Sequence, residues 1–541
     1  MKERIIQFGT GMLLRALPDF LIDKANKASF YDGTIVQVKS TSSETKLFNQ
    51  QQNQYFVLEK GLESGKMVSR VVRINSISKT LAAQHQWAEI LECARNPKIN
   101  VLLSNTTEAG LVHTPEVLSE KVPSSFPAKL TVYLHERFKA FGGSKESGMV
   151  LLPCELLVNN GELLRSFVLH HAEANRLGND FIHWIKTANY FCNTLVDRIV
   201  PGKSEQGDQI VFEGKSFTDP LHTAAETYLL WAIELPKTPS APSPPLGFAR
   251  SKGSGAESSE VLERILEVIK FVKADERMII TDDLTPYRER KLRILNGSNT
   301  MVSAVGHLAG LQSTYDTVTD PTLLRYTSDL INKEIIPTIA DLCPDAEAFA
   351  AETLDRFRNE AIRYPLLTIA SQYASKMNSR NVETIFRYWT LRKELPLNCC
   401  IGLAAFFIFY LHDGKENDQY YRLHEGGKFF YKDEHATYLC QTLEKIKKDT
   451  STTSTPSPPL GFARGKGSGA ESSGVDNLGQ KNSDATNDQV SETIRTILSN
   501  KNIFSRDLGE IPGLIQQVAE IFLAIRQKGM NEVLRESQSL R

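Results

Sequence analysis

The chain has almost no net charge, few cysteines and no long apolar run, and each shortage excludes something. Its 63 Lys and Arg face 64 Asp and Glu, a formal charge of −1. No basic excess exists to neutralise phosphates, which excludes an electrostatically driven nucleic-acid binder. The 7 cysteines are an odd number in 541 residues. They stand at 93, 154, 192, 343, 399, 400 and 440 with no CxxC pair, so neither a disulfide framework nor a zinc cage follows. No HxxxH pair occurs, and His170-His171 with Glu173 is too little for a metal site. The longest strongly apolar run, IGLAAFFIFYL at 401–411, is too short to span a bilayer and reads as a buried helix. The first residues, MKERIIQFG, carry charges where a signal peptide needs an apolar stretch. The expectation is a cytoplasmic, reduced protein with no metal, membrane or nucleic-acid partner. Its oligomeric state stays open.

What is present describes a globular chain too long for one ordinary domain, with 41% hydrophobic and 23% charged residues. The tract PSPPLGFARSKGSGAESS at 242–259 recurs as PSPPLGFARGKGSGAESS at 456–473, differing only at Ser251 against Gly465. Such Pro, Gly and Ser content cannot bury enough apolar surface to offset chain entropy. Both copies read as disordered insertions, over about 238–259 and, within a longer polar tract, about 448–489. Elsewhere the first half alternates β-like runs (RIIQF at 4–8, TIVQV at 34–38, NVLL at 100–103, VLLPCELL at 150–157) with amphipathic stretches at 84–95 and 128–141. That alternation predicts an α/β domain over 1–280 with a mostly parallel, Rossmann-like sheet. After about Thr281 the patterns are helical (288–309, 321–342, 346–363, 382–391, 490–500), which predicts an all-α domain over 281–541.

The run into Gly9-Thr10-Gly11 followed by a helix is the front of a dinucleotide fingerprint. The first glycine permits a tight turn and the second lets a pyrophosphate approach the backbone. Leu14 stands where the third glycine of GxGxxG belongs, and a plain strand–turn–helix junction has the same appearance. The second strand ends in Val38-Lys39-Ser40 without an acid to hold a ribose diol, so the choice between NAD and NADP stays open.

Four blocks carry more. IIQFGTGMLLRALPDFLIDKAN (5–26), LLSNTTEAG (102–110), FCNTLVDRIVPG (191–202) and DDLTPYRERKLRILNGSNT (282–300) together resemble the mannitol dehydrogenase family, the polyol-specific long-chain dehydrogenases. RFRNEAIRYPLLTIA (356–370), SKMNSRN (375–381) and IPGLIQQVAEI (511–521) extend the similarity toward its uronate branch. The resemblance implies an amino-terminal Rossmann-like domain, a helical carboxy-terminal domain, substrate held between them, and zinc-independent chemistry with NAD. It implies reversible reduction of a ketonic sugar acid, D-tagaturonate to D-altronate, with fructuronate or a free ketose as alternatives.

By the same resemblance, Phe8, Gly9, Thr10, Gly11, Met12, Leu13, Ser104, Asn105 and Thr106 hold the cofactor. Lys291 is the general acid, and Asn193 and Asn296 aim their amides at the reacting oxygen. On an α-helix, Lys291, Asn296 and Asn299 project within an arc of roughly 140°, so one wall carries all three. Without the family motif, Lys291 is one more charge in RERKLR, and Asn296-Gly297 is a helix stop. Lys376 and Arg380 are matched to a uronate carboxylate, with a solvated helix face as the alternative. Asp197 and Arg198 are expected to pair with one another. The chain departs from KxxxxNxxH at Asn299, where the family has histidine, and carries Glu360 and Tyr364 where Pro and His are expected. Asparagine hydrogen-bonds but does not titrate near neutrality. That substitution motivates a second class of function, a binding protein with impaired turnover.

Overall fold

The computed structural model describes residues 1–40, 45–63, 65–106, 110–119, 121–202, 207–236, 256–424, 427–447 and 477–539. Two compact units divide it at Tyr287/Arg288. The two Pro/Gly/Ser tracts fall mainly outside the described residues. Their carboxy-terminal ends do not: 256–259 open the helix Ala256–Val268, and 477–489 lie in the helix Asn477–Leu498. The second helix is anchored by Val490, Ile494, Ile497 and Leu498, all fully buried. That i, i+4, i+7, i+8 stripe supports a helix extending further back than the polar composition suggested.

In the first unit six strands form one sheet: β1 (Lys2–Phe8), β2 (Gly33–Lys39), β3 (Ile77–Ala82), β4 (Val101–Ser104), β5 (Val150–Pro153) and β6 (Tyr190–Phe191). Every pairing is parallel, in the order β3-β2-β1-β4-β5-β6. This is the dinucleotide-fold order, and the chain reverses direction across the sheet between β1 and β4. Strands covered on both faces need apolar residues on both. Ile5, Ile35, Val101, Leu103 and Leu152 face one core with Leu21 and Trp231. Ile6, Phe8, Val36, Leu102 and Leu151 face the other with Leu130, Tyr133 and Phe181. Residues outside the main sheet add an antiparallel ribbon, Tyr55–Glu63 with Lys66–Ile74, and a three-stranded sheet of Asn193–Asp197, Leu230–Glu234 and Met278–Thr281.

The second unit is mainly helical. Its apolar centre is the helix Leu397–Phe409, buried along its length, which contains most of the run read as a buried helix. Glu334 accepts hydrogen bonds from the Asn398 and Cys399 amides at 2.8 and 2.9 Å, capping that helix's first turn. Among the described residues no helix is long and apolar enough to cross a membrane. The unit also holds an antiparallel meander, Gly414–Glu416, Gln419–His424 and Gly427–Phe430, which the all-helical reading of this half missed. Its first turn is Asn417-Asp418, both at positive φ, a two-residue hairpin turn of the kind Asn and Asp tolerate.

Candidate active site

At the end of β1 the chain turns through Gly9 at φ +130°, a conformation that L side chains rarely adopt. A Cβ on Gly9 would lie 2.7 Å from Leu14 Cδ1 and 3.2 Å from the Asn105 carbonyl oxygen. Leu14 therefore occupies the space that the fingerprint's third glycine leaves open. The first helix, α1 (Met12–Ala16), stops at Leu17, and the chain continues as α2 (Pro18–Lys27). At Gly11 a Cβ would meet nothing within 4 Å. Open space beside a backbone donor, at the point where strand order reverses, fits the pyrophosphate of a dinucleotide.

The loop after β4 closes on this turn. Asn105 N donates to the Phe8 carbonyl at 3.3 Å, as Gly9 N does to Val38 at 2.9 Å. Glu155 holds the loop from beneath, accepting from Ser104 Oγ at 3.1 Å and Thr106 N at 2.9 Å, while Asn105 Nδ2 donates to the Cys154 carbonyl at 2.5 Å. Burial pushes the Glu155 carboxyl up from its usual range, against the hydrogen bonds that favour its charge. Sequence reading passed over Glu155, although an acid directly behind a buried strand in VLLPCELL is a signal. Of the proposed cofactor residues, Gly9, Thr10, Gly11 and Met12 line the turn. The Phe8 ring packs 5.3 Å from Phe126 in the core, so only its carbonyl borders the turn. Gly9→Ala is expected to weaken NADH binding by roughly 5- to 150-fold, since it forces a strained backbone costing about 1–3 kcal/mol at the glycine turn. Fluorescence titration of NADH checks this.

Asn193 is buried, and its Oδ1 accepts from the amides of Gly161 at 3.0 Å and Glu162 at 3.2 Å, at the start of the helix Asn160–Ala174. Two backbone donors fix the amide's orientation, leaving Nδ2 to donate. Arg198 does not pair with Asp197. Its guanidinium bonds to Glu59, the Glu226 carbonyl and the Ala16 carbonyl. Asp197 is the last residue of its strand and Arg198 the first beyond it. The fully buried guanidinium instead takes a carboxylate and two carbonyls, locking the end of α1 in place.

In the second unit Lys291 opens a π-helical stretch, Lys291–Gly297, set between the α-helices Thr285–Arg290 and Ser298–Leu308. The α-helical arc expected for the three residues is corrected by this widening. A π turn bonds i to i+5 and is wider than an α turn, so Asn296 comes nearer to the face of Lys291 than α-helical spacing gives. Gly297 does not stop the helix: its φ, ψ of −66°, −51° are helical. A Cβ there would come within 3.1 Å of Asn381 Oδ1 and 3.4 Å of the Arg380 carbonyl, because a second π turn, Asn378–Val382, packs against it. Arg293 joins the two, donating to the carbonyls of Ser379 at 3.2 Å and Arg380 at 3.0 Å. Arg380 donates back to Thr300 Oγ1 at 3.0 Å and the Asn296 carbonyl at 3.5 Å. Lys376 donates to the Ile369 carbonyl at 2.9 Å. Burial lowers the Lys376 ammonium to about 8, helped by the Arg380 charge, and burial lowers Arg380 to about 10. Among the described residues neither cation is in an ion pair. The Asn299 Oδ1 is buried without a hydrogen-bond partner. Lys291, Asn296, Asn299, Lys376 and Arg380 thus belong to one unit, while Asn193 and the glycine turn belong to the other. Among the described residues no group of His, Cys, Asp and Glu is placed to hold a metal.

Residues 3–244 match the mannitol dehydrogenase Rossmann domain, and residues 283–450 the mannitol dehydrogenase C-terminal domain. The chain belongs to the mannitol dehydrogenase family. It is 35% identical over 415 residues to altronate oxidoreductase of Bacillus subtilis (strain 168), covering 76% of this chain and 80% of that one. It is 30% identical over 537 residues to altronate oxidoreductase of Escherichia coli O139:H28, covering 98% and 96%. Among solved structures, Pseudomonas fluorescens mannitol 2-dehydrogenase, in a ternary complex with NAD and D-mannitol, shares the fold. Its TM-score is 0.63 at 19% identity, over 100% of this chain and 95% of that one. A D-sorbitol dehydrogenase in substrate-free form gives 0.67 at 21%, over 99% and 95%. As a member of the mannitol dehydrogenase family, the chain is an oxidoreductase acting on CH–OH groups.

Proposed function

We propose that this enzyme catalyses the reversible, NAD-dependent reduction of D-tagaturonate to D-altronate. The observation that carries the choice of an acidic substrate is the pair Lys376 and Arg380, two partly buried cations that form no ion pair among the described residues, Asp433 acting on Lys376 only from beyond ion-pair distance. Desolvated charge left without a counter-ion is costly, and a uronate carboxylate supplies one, in the bidentate geometry a guanidinium favours. The names of the altronate oxidoreductases agree with that reading.

When bound, the nicotinamide supplies the hydride in the reducing direction. The chain's own residues do the rest. The Gly9–Gly11 turn and the Ser104–Thr106 loop seat the dinucleotide. Lys291 gives its proton to the carbonyl oxygen as that oxygen gains charge, and in the oxidising direction it takes the proton back. Asn296 donates a hydrogen bond to the same oxygen, and Asn193, its Oδ1 held by the Gly161 and Glu162 amides, keeps Nδ2 as a donor on the first unit. Asn299 offers a carbonyl acceptor to a substrate hydroxyl, where an imidazole would both accept and titrate.

The test is NADH oxidation by purified protein with tagaturonate, fructuronate and fructose, repeated with NADPH. Turnover highest on tagaturonate supports the reading, and preference for fructose contradicts it. A second reading, a family member that binds without turning over, has its motivation in Asn299; it is selected by tight NADH binding with no turnover on any of the three. The reading also fixes a pH dependence. Lys376 is cationic below about 8, so KM for the keto acid should be low there and rise as the pH passes upward through that value. Lys376→Arg, charged at all working pH values, should flatten the rise in KM measured from pH 6.5 to 9.5.

A further inference from the structure

Beneath the glycine turn lies an acid that the reaction does not use. Asp19, the second residue of α2, is fully buried, and its Oδ2 accepts from Tyr55 Oη at 2.7 Å and Gln37 Nε2 at 2.8 Å. Gln7, also fully buried, lies beside Asp19 and favours its charged form, and it donates from Nε2 to the Gly9 carbonyl at 3.2 Å, while Asp19 Oδ1 is buried without a hydrogen-bond partner. A single side chain therefore separates the carboxyl from the first carbonyl of the turn. The charged and titratable groups facing this network are few. Arg15, one helical turn earlier, lies over the Tyr55 ring at 5.7 Å and acts on Asp19, while Asp219 acts on Arg15. Asp23 acts on Tyr55 and Cys154 feels Asp19, and Asp23 itself is paired with Lys27 at 2.5 Å. Burial dominates over the hydrogen bonds and Arg15, and raises Asp19 to about 7. The carboxyl is thus divided between its two forms near neutrality before any ligand arrives.

A dinucleotide brings two phosphate charges to the turn. A nearby carboxylate in low dielectric is disfavoured by that arrival, and at its midpoint it takes a proton from solvent with little resistance. We propose that Asp19 takes up a proton from solvent as the dinucleotide binds, so that cofactor affinity is linked to pH through a residue that touches neither cofactor nor substrate. The sign follows from linkage: ligand binding that raises an acid's pKa is itself strengthened as pH falls through that range. The inference rests on the reading that the Gly9–Gly11 turn seats a dinucleotide.

The test is calorimetric titration of NADH into the full chain in phosphate, HEPES and Tris, whose different ionisation heats reveal proton uptake. For a one-unit rise of the Asp19 pKa on binding, about half a proton is taken up at pH 7.5 and almost none at pH 5.5, with NADH bound roughly 5-fold more tightly at pH 6.5 than at 8.5. Asp19→Asn should bind NADH with no proton uptake from this source and a flat pH profile. Tyr55→Phe, which removes one donor to the carboxylate, should shift the pH of greatest uptake upward, and this keeps the test decisive if Asp19→Asn does not fold. NADH binding without proton uptake in the wild type, uptake unchanged in Asp19→Asn, or an unshifted maximum in Tyr55→Phe would overturn the proposal. Failure to bind NADH at all would instead remove the cofactor reading beneath it, and the proposal with it.

Discussion

Lys291→Ala is expected to lower turnover on the keto acid by roughly 100-fold or more while leaving NADH affinity near that of the wild type. The expectation separates two properties because they sit on different parts of the chain. The glycine turn, the Ser104–Thr106 loop and Glu155 belong to the first unit, and the substitution touches none of them. What is lost is the proton that the reduced oxygen needs, leaving water as a less well placed acid. The π stretch itself should persist, since Arg293 still ties it to the carbonyls of Ser379 and Arg380. Stopped-flow turnover beside an NADH fluorescence titration reads both quantities. Unchanged turnover would remove Lys291 from the reaction.

Arg380→Met should raise KM for the uronate by roughly 100-fold, the loss expected when a desolvated charge pair of about 3 kcal/mol is broken. Methionine keeps much of the apolar volume while deleting the guanidinium. KM for an uncharged ketose should change far less, because no carboxylate is present to lose its partner. The ratio of the two KM changes is therefore the informative quantity. An equal rise for both substrates would mean that Arg380 only braces Thr300 and the Asn296 carbonyl, to which it donates.

Much of this arrangement was legible in the sequence, for reasons that can be named. The parallel sheet announced itself because strands buried on both faces must be continuously apolar, as in VLLP at 150–153. The glycine turn did so because Gly9 and Gly11 answer local backbone demands. Pairings across long separations were not legible. Arg198 bonds to Glu59, 139 positions earlier, and nothing in VDRIVP points there, so its neighbour Asp197 was the natural guess. Nor does periodicity distinguish a single π turn from an α-helix, since the two differ by about one residue per turn. That is why Lys291 and Asn296 were expected on one wall at α-helical spacing. The network of Gln7, Asp19 and Tyr55 was hidden for a further reason: a buried acid inside LPDFLID looks like any amphipathic helix until the strand that covers it is placed.

The proposed reaction moves a hydride between a nicotinamide and a ketonic sugar acid. The most direct measurement follows the label from NADH deuterated at the transferable position, incubated with the wild-type enzyme and D-tagaturonate, with products resolved by mass spectrometry and NMR. The account predicts altronate carrying one deuterium on the newly formed carbinol carbon, in amount equal to the NADH consumed. Altronate without deuterium, or deuterated cofactor left intact beside unreacted tagaturonate, would contradict it.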